Sequence, residues 1–149
     1  MTPADIYPGD DYVDWVGIDG FNRETSVIYS ACLCLSSWES FELILASTYE
    51  ALLQFTGKPM MIAETASSEE GGSKSMWITD ALTIQFPLRF PNVRALAWFY
   101  AFDYRTPEAI FATTNGISEY VLNWPIDTSS TALRAFVTAI NESYQGTLE

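Results

Sequence analysis

Apolar residues recur along this chain in two ways, as short unbroken runs and as longer stretches where they return every third or fourth position. The clearest run is Pro59 to Ala63, opened by a proline and followed by Glu64 and then small residues. That is the pattern of a strand buried on both faces, with Glu64 standing where the strand ends. Tyr12 to Ile18, aromatic and β-branched, predicts an earlier strand that gives way to Asp19-Gly20-Phe21-Asn22. Val93 to Tyr100 predicts a third. Ser36-Ser37-Trp38-Glu39 spells a capping box, with the Ser36 hydroxyl accepting from the Glu39 amide and the Glu39 carboxylate reaching back. From there Phe41, Ile44, Leu45, Thr48, Leu52 and Phe55 form one apolar helical face, and Gly57 is the expected left-handed end. Ser73 predicts the cap of a helix running to about Gln85 that buries Trp77, Ala81, Leu82 and Ile84. Pro87 and Pro91 then predict an extended connection. A last helix starts near Ser130, with Leu133, Phe136, Val137 and Ile140 on one side.

The remaining stretches connect these elements. Met1 to Asp11, Thr65 to Gly72 and Asn123 to Asp127 read as loops or turns, with Glu69 and Glu70 as solvated charges. Arg23 to Leu35 suits a strand or a packed loop, and Ala101 to Leu122 a loop with room for a short helix. Strands alternating with helices predict an α/β fold, a parallel sheet with helices packed on it. Asp19, Glu64, and Trp98 with Tyr100 then share the C-terminal rim of the sheet, where such folds bind ligands. For Glu64 the alternatives at this point are a catalytic carboxylate, a charge at a helix N-terminus, or a member of a buried ion pair.

Composition narrows the chemistry. With 149 residues and 48% apolar content, the chain fits one domain with an ordinary core. A formal charge of -12, from seven Lys plus Arg against 19 Asp plus Glu, argues against nucleic acid and anionic membranes as partners. There is no His, which excludes a Ser-His-Asp triad and a His-based zinc site and leaves acid-base work to carboxylates, Tyr or Lys. No metal ligand set is expected. Cys32 and Cys34 are too close for an unstrained disulfide and too few for a metal site, so they are expected as free thiols. The longest apolar run, Val27 to Leu35, is about half of the ~20 residues a bilayer needs, and no secretory signal is visible near Met1. Aromatic residues at 15% leave rings to spare for stacking on flat ligands, although most belong in a core.

Three segments together, Tyr7 to Asn22, Lys58 to Thr65 and Ala97-Trp98-Phe99, resemble the last three strand motifs of family 26 glycoside hydrolases, and the loop Ser68 to Ile78 fits as well. The family consists largely of endo-β-mannanases, with some β-glucanases and β-1,3-xylanases. The resemblance covers most of the chain except roughly Thr25 to Leu35 and Tyr104 to Val121. It implies a partial catalytic domain over residues 1–149, about strands six to eight of a TIM (β/α)8 barrel. It also implies Glu64 as the nucleophile of a retaining β-mannanase-like hydrolase, without cofactor. Trp98 is implied to line the subsite of cleavage, its alternative being a barrel-core residue. Asp19 and Asn22 are implied to shape the rim, Asp19 in a structural hydrogen-bonding role ahead of a catalytic one.

The retaining mechanism needs two carboxylates roughly 5 to 5.5 Å apart. In the family the acid/base comes from the fourth strand, which this chain is expected to lack, being about 100 residues short of a barrel of ~250. The chain alone is therefore expected to be inactive. Phe21 stands where the family usually carries a tyrosine that donates to the nucleophile, a bond worth roughly 1.5 to 3 kcal/mol. The implied partner is a β-linked polysaccharide, mannan or a relative, and the implied location is extracellular. The alternative is a catalytically silent carbohydrate-binding remnant that stacks sugars on Trp98, Tyr100 and Trp124.

Overall fold

The computed structural model describes residues 2–23, 38–69, 71–105 and 120–145. Three parallel strands form one sheet in the order β1 (Val16–Asn22), β2 (Met60–Ser67), β3 (Val93–Trp98). Helices α2 (Phe41–Leu53), α3 (Lys74–Thr79), α4 (Phe86–Arg89) and α5 (Ser130–Gln145) follow the strands, after a single N-terminal turn α1 (Pro3–Ile6). The α/β arrangement read from the hydrophobic pattern is the one observed.

The first strand sits four residues later than its composition predicted. Asp10 to Tyr12 form a turn of 3-10 helix, and Tyr12 is 80% exposed. What selects Val16 to Asn22 is pairing with β2, which uses both glycines of that segment. Gly20 lies beneath α2: a Cβ there would come within 2.5 Å of Leu45 Cδ2 and 2.6 Å of Ile44 Cγ2. The absent side chain is what lets the helix pack this close.

Ser40 caps α2, its hydroxyl accepting from the Leu43 amide at 3.2 Å. The helix thus begins after the expected capping box. Ser36 lies outside the described residues, and the Glu39 amide donates to Asn22 Oδ1 at 2.9 Å. Phe41, Leu45, Tyr49 and Leu52 are buried, so Tyr49 takes the place expected for Thr48, and its hydroxyl accepts from the Asn92 amide. Gly57 is not the left-handed end. The helix closes at Gln54, and Thr56 draws the chain aside by donating to Asp10 Oδ1 at 2.7 Å, where Tyr7 also donates at 2.6 Å. Those two donors hold the Asp10 carboxyl below its usual range.

Past α3 the helix widens into a π turn over Asp80 to Gln85 and tightens again as α4. Pro87 falls in the first turn of α4, where its missing N–H is tolerated, so the predicted extended connection shrinks to the turn at Phe90 to Asn92. The wider turns rotate the face: Trp77, Ala81 and Leu82 are buried as expected, but Ile84 is 51% exposed. Phe41 joins these layers, meeting Trp77, Phe90 and Phe86 edge-on at centroid distances of 5.8, 5.5 and 6.4 Å. Such contacts contribute about 0.5 to 1.5 kcal/mol each beyond area burial.

Helix α5 buries Ala132 and Ala139 and half-buries Phe136, while Leu133, Val137 and Ile140 face solvent. Its inner side is therefore the small-residue side, chosen by close approach to α3 and the π turn. Between β3 and α5, two short strands, β4 (Phe102–Arg105) and β5 (Tyr120–Asn123), pair antiparallel at the two ends of the stretch expected as a loop. Glu24 to Ser37, including both cysteines, lie outside the described residues, as do Glu70 and residues 106–119.

Candidate active site

Strict alternation along β2 points Met60 and Ile62 to the helices and Met61 and Ala63 away, which would return Glu64 to the helix side. It does not return. Ile18 pairs with Ile62 but Asp19 pairs with Glu64, and on the other edge Ile62 pairs with Leu96 but Thr65 with Trp98. Both neighbours see one extra residue at Ala63, a β-bulge. Beyond it Thr65 is buried on the helix side, donating to the Gly20 carbonyl at 2.7 Å, while Glu64 stays exposed. Glu64 lies inside the strand, three residues before its end, and owes its direction to the bulge.

Asp19 is exposed and in register with Glu64. In-register residues of adjacent parallel strands share a face, at a strand spacing of about 4.8 Å. The face with these two carboxylates also carries Met61, flanked by Gly17 and Ala95, and the small residues Ala63 and Ala97, which leave the surroundings of Glu64 accessible.

An aromatic wall closes the C-terminal end of this face. Phe21, in register with buried Ala66, meets Phe99 at 5.5 Å and Trp124 at 5.2 Å between centroids. The Arg23 guanidinium lies 5.3 Å from the Phe21 centroid and 5.4 Å from that of Trp124, over both rings. Trp124 is 1% exposed. A ring so covered forms a wall and offers no free face to a sugar.

The other expected site residues are spread more widely. Asn22 is fully buried, its Nδ2 donating to Ser67 Oγ at 3.0 Å and its Oδ1 accepting from the Glu39 amide, so the amide ties the end of β2 to the segment that leads into α2. Trp98 is half-buried, edge-on to Trp77 of α3 at 6.1 Å and to Phe136 of α5 at 5.7 Å. Its Nε1 donates to the Trp124 carbonyl at 2.9 Å. These contacts place the ring on the helix side of the sheet. Tyr100 is 59% exposed and donates to Asp127 Oδ2 at 2.6 Å, which raises the phenol above its ordinary range. Glu69 is not a free surface charge, because Thr128 Oγ1 donates to it. Asp19, Phe21 and Glu64 therefore come together, walled by Trp124, while Asn22 and Trp98 lie on the helix side and Tyr100 lies beyond the end of β3.

Sequence reasoning passed over Lys74. Its side chain is fully buried at the start of α3, with Nζ donating to the carbonyls of Asn123 (2.8 Å), Trp124 (3.3 Å) and Pro125 (2.7 Å) and to Thr128 Oγ1 (3.1 Å). Burial pushes the ammonium down from 10.5 to about 8, partly offset by the charges of Glu69 and Asp127. A serine followed by lysine at a helix start gives no sign of this, since all four acceptors lie about 50 residues away. Among the described residues no group of three or more His, Cys, Asp or Glu is placed to hold a metal ion, and no helix is long and apolar enough to cross a membrane.

No protein-family model matches the chain. A curated protein, endoglucanase H of Acetivibrio thermocellus, is 38% identical over 117 residues, a match that covers 74% of this chain and 12% of that protein's length.

Proposed function

We propose that this chain is part of a glycoside hydrolase acting on a β-linked polysaccharide, with Glu64 as the carboxylate that attacks the anomeric carbon. The observation that carries the reading is the bulge at Ala63, which turns Glu64 onto the accessible face beside Asp19 in a chain 38% identical to part of a protein named as an endoglucanase. Bulges beside active sites re-aim a side chain in this way.

The accessible face also bears on the fold of the whole. Parallel sheets are covered on both faces, yet this one has helices on one side and unpaired edges at β1 and β3 among the described residues. A groove of about 510 Å3 runs along the edge of β1, lined by Ile6, Tyr7, Val16, Gly17, Asp19 and Leu52. The exposed stripe Leu133, Val137, Ile140 on α5 awaits a neighbour at the other side. These features support an arc of a (β/α)8 barrel, with Glu64 and Asp19 directed to its interior rim and the general acid supplied by sequence outside these 149 residues. The retaining, mannanase-like chemistry of family 26 is the finer form of the proposal, and glucan is the competing substrate given the relative's name.

The test is turnover on β-mannan and β-glucan by the protein carrying the complete catalytic domain, with and without Glu64→Ala. The proposal expects loss of hydrolysis by roughly a thousandfold or more with oligosaccharide binding retained. Undiminished turnover in the variant would refute the role of Glu64. A protein that binds these sugars and hydrolyses neither would be the silent binding remnant instead.

A further inference from the structure

Lys74 is the wrong residue for its surroundings if packing were all it did. It opens a helix, where the backbone dipole disfavours a cation, and its charge is buried, where desolvation disfavours it further. No carboxylate lies within ion-pair distance of it among the described residues; Glu69 and Asp127 act on it only through space. Its partners are instead three successive carbonyls and one hydroxyl of a single turn, Asn123 to Thr128. Three carbonyl oxygens converging on one point need a donor with several protons, which an ammonium is.

That turn is also the piece that brings Trp124 over the sheet. Its carbonyl at Trp124 accepts from Trp98, Thr128 donates to Glu69 beyond the end of β2, and Asp127 accepts from Tyr100. Lys74 bonds the turn at four points.

We propose that Lys74 is a positioning residue for the candidate site, fixing the Asn123 to Thr128 turn so that Trp124 stays against Phe21 and walls the rim beside Glu64. Without the ammonium, converging carbonyls repel one another and the turn opens, carrying Trp124 off Phe21. The role in ligand binding rests on the reading of the rim as a sugar site; the clamp itself rests on the bonds alone.

The test uses the full chain, nitrogen-15 labelled, and its indole N–H resonances assigned by single Trp→Phe variants. In Lys74→Met the Trp124 and Trp98 signals should shift and broaden. The Trp77 signal should move less, because that indole donates to the Glu39 carbonyl at 2.8 Å, away from the turn, and meets the affected rings only through Trp98. Cellohexaose and mannohexaose titrations should show affinity roughly tenfold weaker than wild type, or more. Thr128→Val, which removes one acceptor and the link to Glu69, should move the Trp124 signal in the same direction by less, and it decides the matter if Lys74→Met does not fold. An unmoved Trp124 signal, or one that moves no more than Trp77, would overturn the proposal. Should wild type bind neither sugar, the sugar-site reading falls, and with it the ligand role of Lys74, while the indole spectrum still decides the clamp.

Discussion

Replacing Gly20 by alanine probes the contact that seats α2 on the sheet one residue from Asp19. The new methyl would start 2.5 Å from Leu45 Cδ2, 2.6 Å from Ile44 Cγ2 and 3.1 Å from Leu45 Cγ, against an optimum of about 3.5 to 4.0 Å between carbons. Leu45 is 1% exposed, so it has no free space to rotate into, and the helix must lift by about 1 Å. Overpacking of this kind costs about 1 to 3 kcal/mol, and two contacts on a buried partner place Gly20→Ala near the upper end. Removing a strand-interior glycine returns about 0.5 to 1 kcal/mol through the unfolded chain. The net expectation is a loss of about 2 kcal/mol, read as a urea midpoint lower by about 1 M at unchanged slope. Gly57→Ala is the matched control: nothing lies within 4 Å of a Cβ there, so it should be neutral or stabilise by up to about 1 kcal/mol. The double variant Gly20→Ala, Leu45→Ala should lose markedly less than the sum of the two single changes, because Leu45→Ala vacates the space the methyl needs. A Gly20→Ala chain as stable as wild type, or additive with Leu45→Ala, would refute the close-approach argument.

Asn22→Ala removes both buried amide bonds and should destabilise by about 2 to 4 kcal/mol in denaturant unfolding, since the Glu39 amide loses its acceptor and Ser67 loses a donor. Because burial holds Lys74 at about 8 against 10.5 in the open chain, unfolding takes up a proton between those values. The stability of wild type relative to Lys74→Met should therefore rise with pH across that window, by roughly 1 kcal/mol per unit at most, and be flat below it. Unfolding curves at about pH 7, 8, 9 and 10 check the sign. Arg89→Ala breaks a surface ion pair to Glu42 at 2.6 Å whose side chains are 55% and 36% exposed, so thermal unfolding should report a loss under about 1 kcal/mol that vanishes in high salt.

Much of the scaffold was legible because its signals are local. The apolar run through Met60 to Ile62, the Phe41, Leu45, Leu52 face and the Ser73 cap each depend on residues within one turn or one strand, and each is observed. The absence of His and the acidic balance also limit the available chemistry without reference to any coordinate. Where the reading slipped, a distant partner decided. Val16 to Asn22 is a strand because β2 pairs with it, whereas Tyr12 has the better propensity and no strand to pair with.

The sequence by itself determined that strands alternate with helices and that a carboxylate follows an apolar strand, because propensity and periodicity are short-range properties of the chain. Only the tertiary structure decided which way that carboxylate points. The extra residue at Ala63 exists only relative to β1 and β3, and it sets Glu64 beside Asp19 instead of among the helices. The same is true of the buried ammonium of Lys74, whose four acceptors are gathered by folding from about 50 residues away. A bulge and a convergent donor site are relations between strands and turns, and no single stretch of sequence contains them.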